Sequence, residues 1–258
     1  MFKKFFPERS NFMKIIVNGA GGRMGQVLCS LIENSEKYSL AAKVSAEFES
    51  DSENLVFKNI SEFQGEADII IDFSHHSATK DLCDYAVKNS LPLIVATTGH
   101  TEEETELIKK ASEKIAVFKS GNMSLGVALV ACLAKIAAKA FPEADIEIIE
   151  KHHNQKLDVP SGTALMLADA VKSVREDLTY NVGRHENGKR TKNEIGIHSL
   201  RMGGEVGTHE IIFAAGSQVI TLKHESENRA LFAEGALSAA DFLVKQESGI
   251  YNMDNILE

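Results

Sequence analysis

Two histidines and a lysine stand close together at His152, His153 and Lys156, and the chain then runs through Leu157-Asp158-Val159-Pro160 into Ser161-Gly162-Thr163. Histidine exchanges a proton near neutral pH, while a lysine at its ordinary pKa of ~10.4 arrives charged and can donate a proton or pair with an anion. Pro160 closes the loop, Ser161 or Thr163 can cap a helix, and Gly162 lets the backbone come close to a ligand. Free N–H groups at such a helix start favour a carboxylate or phosphate. Together these residues suit an anionic substrate that must gain a proton. Taken alone, Ser-Gly-Thr is only a good cap and paired histidines are commonly solvated, so the chemistry depends on whether the rest of the chain supplies a cofactor.

The elements around this loop are legible from periodicity. Asp145 to Glu150 reads as a strand and Ala164 to Val171 as a helix, which puts the three basic residues at a strand end. Near the N-terminus, the apolar strand Met13 to Asn18 runs into Gly19-Ala20-Gly21-Gly22-Arg23-Met24-Gly25 and then into the helical pattern Gln26 to Ile32. Strand, glycine turn and helix make a dinucleotide site. The spacing Gly19-x-x-Gly22-x-x-Gly25 differs from the commoner G-x-G-x-x-G. Gly19 permits the turn, Gly21 and Gly22 open the backbone to a pyrophosphate, and Gly25 lets the helix pack on its strand.

Alternation then continues through strands at Leu40 to Ser45, Ala67 to Phe73, Leu91 to Ala96 and Ile115 to Phe118. Thr101 to Glu104 has capping-box spacing and opens a helix. A doubly wound parallel sheet binds its ligand outside the carboxyl ends of its strands, which places Asp72-Phe73-Ser74, Thr97-Thr98-Gly99 and Ser120-Gly121-Asn122 on one rim. Beyond Ser124, which can cap a helix through Ala140, the pattern changes to an α+β module. Its strands are expected at Asn193 to Leu200, Thr208 to Ala214 and Gln218 to His224, joined as hairpins. A helix from Asn228 to Val244 carries Leu231, Phe232, Leu237, Phe242 and Leu243 and is expected to return to the first domain. Lys172 to Lys192 reads as a mobile loop. The expected organisation is an α/β, Rossmann-like dinucleotide domain of residues 13–123 and 233–258, with an α+β substrate-binding and oligomerisation domain at 124–232.

Composition narrows the function class. The 258 residues, 43% of them hydrophobic, suffice for such a pair of domains. A net charge of -9 and the absence of a concentrated basic face argue against a nucleic-acid partner. Cys29, Cys83 and Cys132 are odd in number and lie in apolar helical stretches, as buried thiols in a reducing cytoplasm would. No metal-ligand spacing is visible, and His75 and His76 read as structural or solvated. Met1 to Phe12 lacks the apolar core of an export signal and is read as a disordered extension, and no apolar run has membrane-spanning length.

From Met13 onward the chain resembles the 4-hydroxy-tetrahydrodipicolinate reductase family of lysine biosynthesis. The glycine turn, Thr97-Thr98-Gly99, Asn122-Met123-Ser124-Leu125-Gly126 and the whole run Glu150 to Ala164 look like its successive signatures, in order. The resemblance implies that the first domain binds NADPH or NADH and that the second binds a cyclic dicarboxylate, with sheets from several subunits forming a homotetramer core. It implies cofactor contacts at Gly19, Ala20, Gly21, Gly22, Arg23, Met24, Ser45, Ala96, Thr97, Thr98, Ser120, Gly121, Asn122 and Met123. It further implies His152 and Lys156 as proton-transferring residues, and His153, Ser161, Gly162 and Thr163 at the substrate carboxylates, with Arg229 a weaker candidate. The chain departs from the family pattern at Ala96, where glycine is usual, and at Ser45, where many members carry an acid followed by arginine. Loss of that acid predicts that NADPH is used at least as well as NADH, unless Glu47 or Glu49 swings in, and Lys43 could help hold the phosphate. Two rivals stand beside this reading. Another small dehydrogenase would have no use for the His-His-x-x-Lys loop, and a nucleotide-sensing regulator would have no need of His152 and Lys156.

Overall fold

A computed structural model describes residues 12–257, in which the chain divides into two compact units. One runs through Met123 and resumes at Phe232–Ile256; the other is Ser124–Leu231. The expected extension falls, except for Phe12, outside the described residues.

In the first unit β1 (Met13–Asn18) leads into α1 (Arg23–Glu33), followed by β2 (Tyr38–Val44), β3 (Val56–Phe57), β4 (Ile69–Asp72), α2 (Thr79–Lys88), β5 (Leu93–Val95), α3 (Glu102–Ser112) and β6 (Ala116–Lys119). In the second unit come α4 (Leu125–Ala140), β7 (Asp145–His152), α5 (Gly162–Lys172), β8 (Thr179–Val182), β9 (Glu194–Arg201), β10 (Gly207–Ala215) and β11 (Gln218–Ser226). The chain ends with α6 (Ala230–Leu243), β12 (Gly249–Tyr251) and α7 (Asp254–Leu257).

The first sheet has the order β12-β6-β5-β4-β1-β2-β3, with all its pairings parallel. Its central strands are continuous apolar runs because both faces are covered: Ile15, Ile16, Ile69, Ile70, Ile71, Leu93 and Ile94 have no exposed surface. Strand order reverses between β1 and β4, so the crevice outside Asn18 and Asp72 is the switch point at which such sheets take ligands. The capping box at α3 forms as expected, with Thr101 Oγ1 accepting from the Glu104 N–H and the Glu104 carboxylate accepting from the Thr101 N–H. Short or weakly patterned elements of this unit, β3, α2, β12 and α7, lie outside the sequence expectation; β3 and β12 are two and three residues long. Cys29 and Cys83 are buried, and burial pushes both thiols up to about 11, so they remain protonated. Cys132 is half-buried.

The second sheet has the order β11-β10-β7-β9-β8. It is mixed: β7 pairs in parallel with β9, β8 pairs in parallel with β9, and only β10 and β11 form a hairpin. This corrects the expectation of hairpin connections. It also corrects the reading of Lys172 to Lys192 as a mobile loop. Arg184 reaches Glu147 and Glu194, and Arg190 reaches Asp145 and Glu147, so the charges that suggested a solvated loop pair instead with β7 and β9. One face of the sheet packs under α4 and α5. Along β7 that face takes Ile146, Ile148, Glu150 and His152, since alternate residues of a strand point the same way. The last two buried positions of an otherwise apolar row are therefore a carboxylate and an imidazole.

Candidate active site

The rim of the first sheet is assembled around one carboxylate. Asp72 ends β4 with only 2% of its surface exposed and accepts from Asn18 Nδ2 at 2.8 Å, Ser74 Oγ at 2.5 Å and Thr97 Oγ1 at 2.6 Å. It thereby joins the ends of β1, β4 and β5. Thr98 stays exposed beside it and Ala96 half-buried, while Ser120 Oγ accepts from the Asn122 N–H and donates to the Asn122 carbonyl. Met123 is buried, its carbonyl pressed against α6 where a Cβ at Gly235 would come within 1.7 Å. A side chain so placed is core, so at Met123 only the backbone remains suited to a ligand.

The glycine turn has the expected geometry. Gly19 lies at φ +84°, a conformation that glycine adopts without strain, and a Cβ on Gly25 would sit 2.0 Å from the Gly19 carbonyl oxygen. The Gly19 and Ala20 N–H groups both donate to the Val44 carbonyl, and Gly22 N–H donates back to Gly19. The turn thus offers an anion the start of α1, at Arg23 and Met24, rather than its own Gly22 N–H. Beside it opens a cavity of about 810 Å³ lined by Gly19, Gly22, Ser45, Glu47, Phe73 and Tyr85. The cradle, the helix start and the cavity fit a dinucleotide.

At Ser45, on the wall of this cavity, the structure refines the expectation. A Cβ on Gly21 would lie 2.7 Å from Ser45 Oγ and 3.4 Å from Glu47 Oε2, so the Glu47 carboxylate already stands against the turn. Lys43 is engaged by Glu33 at 3.1 Å. We therefore expect Glu47 to supply the acid that Ser45 lacks, gripping a ribose hydroxyl and repelling a 2′-phosphate. A charged hydrogen bond is worth about 1.5–3 kcal/mol, so Glu47→Ala should raise the NADPH-to-NADH ratio of kcat/KM by about tenfold or more. Lys58 and Lys88 also line the cavity, and an unchanged ratio in this variant would assign the 2′ position to them.

In the second unit the chemistry gathers at the end of β7. His152, 8% exposed, directs Nδ1 to Glu150 Oε2 at 2.5 Å. Glu150 is fully buried and is gripped by Arg201 through both oxygens, at 2.9 and 2.8 Å. Burial alone would raise the Glu150 carboxyl, but the hydrogen bonds from Arg201 and His152 outweigh it and hold the group down at about 2. His152 is lowered from its ordinary value, by burial first; Glu150 pulls the other way, and Lys156 and Arg201 add to the lowering. Across the sheet His209 meets the His152 ring edge-on at 5.1 Å. Burial drives the His209 pKa down to about 3, which leaves the ring neutral.

The helix start that follows is capped as the sequence suggested. Ser161 Oγ accepts from the Ala164 N–H and also bonds His209 Nε2 at 3.0 Å, and the Ser161 N–H donates to Glu150 Oε1 at 3.1 Å. With 1% of its surface exposed, Ser161 holds α5 in place, whereas Gly162 is exposed and Thr163 half-buried at the helix mouth. His153 is half-buried, and Lys156 Nζ pairs with Asp158 at 2.8 Å. Arg229 is exposed just before α6. Glu150, Arg201 and His209 were not among the expected site residues, and Asp72 was expected only as part of a rim loop. For Glu150 a signal was available, since it continues the inward alternation of Ile146 and Ile148 and stands two residues before His152.

Among the described residues there is no group of His, Cys, Asp or Glu able to hold a metal, and no helix long and apolar enough to cross a membrane. His76 instead pairs with Glu104 at 2.9 Å, and His75 Nδ1 bonds Ser77.

The family model described as dihydrodipicolinate reductase, N-terminus, matches residues 13–123, and the one described as dihydrodipicolinate reductase, C-terminus, matches residues 126–257. The chain is 44% identical over 247 residues to the 4-hydroxy-tetrahydrodipicolinate reductase of Clostridium tetani (95% of this chain, 97% of that one). It is 41% identical to the protein of the same name from Clostridium novyi (95% and 98%). Among solved structures, dipicolinate-bound dihydrodipicolinate reductase from Paenisporosarcina sp. TG-14 superposes with a TM-score of 0.78 at 26% identity, covering 95% of this chain and 99% of that one.

Proposed function

The chain belongs to the dihydrodipicolinate reductase family, and from that premise we propose how its own residues carry out the reaction. It is an NAD(P)H-dependent oxidoreductase that reduces 4-hydroxy-tetrahydrodipicolinate to tetrahydrodipicolinate with loss of water, the reductase step of diaminopimelate and lysine biosynthesis. The bound nicotinamide supplies the hydride. The protein supplies orientation, carboxylate binding and a proton. Gly19 to Met24, Ser45, Ala96 to Thr98 and Ser120 to Met123 hold the dinucleotide by the first unit's rim.

In the second unit, the start of α5 at Gly162 and Thr163 holds a substrate carboxylate, with His153 beside it. Lys156, released from its exposed partner Asp158, takes the anionic substrate as counter-ion and proton donor. His152 handles a proton at Nε2, the ring atom left once Nδ1 is committed to Glu150. The observation that carries this reading is the junction of β7 and α5, where a buried imidazole, a lysine and a helix start lie on one short stretch of chain, His152 to Thr163. Consumption of nicotinamide absorbance when the purified protein meets enzymatically generated hydroxytetrahydrodipicolinate tests it. The same reading makes the enzyme a cytoplasmic homotetramer.

The role of the helix mouth gives a separate expectation. Thr163→Val removes one hydroxyl and keeps the shape. Loss of a hydrogen bond to a charged group is worth about 1.5–3 kcal/mol, so kcat/KM for the substrate should fall by roughly 10- to 150-fold while NADPH affinity is unchanged. An equal fall in cofactor affinity would mean that this helix start serves the nucleotide.

A further inference from the structure

We propose that Glu150, clamped by Arg201, is a positioning residue that fixes the proton on Nδ1 of His152 and locks the ring to the carboxylate-binding start of α5. The proposal rests on the assignment of His152 to proton transfer.

A carboxylate without exposed surface, in a row that otherwise holds Ile146 and Ile148, is costly unless its lone pairs are met. They are met from three directions. Oε2 accepts from His152 Nδ1 at 2.5 Å and Arg201 Nη1 at 2.9 Å, while Oε1 accepts from Arg201 Nη2 at 2.8 Å and the Ser161 N–H at 3.1 Å. An ionised carboxylate can only accept, so the proton of a neutral His152 must sit on Nδ1. Nε2 is then the atom that titrates, and it faces Gly207, where a Cβ would come within 3.0 Å. Any other residue at 207 would press on the reacting nitrogen.

The Ser161 contact gives the carboxylate its second task. One oxygen orients the imidazole and the other holds the N-cap backbone of the helix whose first turn receives the substrate. Arg201 also donates to the Asp158 carbonyl at 2.7 Å, which ties the intervening loop to the same clamp. An arginine–carboxylate pair serving the fold alone would require neither contact. The charged and titratable groups facing His152 are Glu150 on its own strand, Arg201 on β9, His209 on β10 and Lys156 on the loop. Glu150 is the anion among them, and without it the imidazolium meets only burial and positive neighbours.

Nitrogen-15 NMR of the histidine rings and steady-state kinetics on Glu150→Gln test the proposal. In the wild type, His152 should be protonated on Nδ1. In the variant the glutamine amide can donate to that nitrogen, so the proton should move to Nε2 and the ring should titrate at lower pH. Losing such an orienting partner costs about 10- to 100-fold, expected here in kcat with the KM for NADPH unchanged. An Nδ1 proton that persists, with kcat within twofold of wild type, would overturn the proposal. Should Glu150→Gln fail to fold, Glu150→Asp keeps Arg201 paired but draws the carboxylate back from the ring. A reduced kcat with a near-normal His152 titration supports the proposal, and a wild-type kcat overturns it. Failure of the proton-transfer reading itself would appear elsewhere, as turnover retained in His152→Gln whatever the tautomer.

Discussion

Replacing His152 by glutamine, or Lys156 by alanine, should lower turnover by about 10²- to 10⁴-fold while folding and NAD(P)H binding persist, this being the range that general acid catalysis contributes. Glutamine keeps much of the imidazole's bulk and can still donate to Glu150, so the buried carboxylate is not orphaned and the loss reports proton transfer rather than collapse. Lys156→Ala removes a charge held near the surface by Asp158, a pair whose own contribution to stability is small because Asp158 is largely exposed. The double variant should fall well short of the product of the two losses, because groups acting on one transition state are not additive. Stopped-flow and steady-state turnover at saturating substrate, with cofactor binding followed by fluorescence, separates these outcomes. Near wild-type turnover in both single variants would reduce the loop to a helix cap and send the search for the acid elsewhere.

Most of the parallel sheet was legible because its strands are apolar runs buried on both faces and its turns carry glycine. Met13 to Asn18 coincides with β1, and Ser124 and Thr101 cap the helices they were expected to open. What escaped was short or depended on distant partners. Strand β12 is three residues whose pairing with β6 only the returning chain reveals. Arg184 and Arg190 looked like solvent-facing charge because their carboxylates lie on β7 and β9, far from them in sequence. The site divides in the same way. His152, Lys156 and the α5 cap lie on one short stretch of chain and could be read directly, whereas Arg201 and His209 reach Glu150 and Ser161 only through the register of β9 and β10. At Ser161 the residue type suited a substrate contact, and the fold adds a second use for its hydroxyl, which is bonded to the start of α5 and to His209.

The second unit should lose stability steeply between about pH 6.5 and 4.5, and His209 should be the main reason. Its pKa falls to about 3 in the folded protein, from burial first and then from the nearby His152, and its buried Nδ1 has no hydrogen-bond partner. In the unfolded chain the same ring takes up a proton near pH 6.5. Between these values the unfolded state binds more protons than the native one, so unfolding free energy rises with pH. The stabilisation is fully present above about pH 6.5 and is lost as pH falls towards 3, at up to about 1.4 kcal/mol per pH unit. Over two units that is about 2–3 kcal/mol, a large share of an ordinary domain's margin. Glu150 acts in the same direction but only below its ordinary value of 4.5, so measurements kept above that pH isolate the histidines. His152 and His224, both lowered by burial, keep part of the slope in any single variant. The comparison is therefore between wild type and His209→Gln by urea unfolding at several pH values. The variant should be less stable at pH 7.5, having lost the ring that bonds Ser161, yet distinctly flatter between pH 6.5 and 4.5. Parallel curves for the two proteins would show that native His209 takes up its proton as readily as the unfolded chain does, and that the face of the sheet beside His152 is open to water.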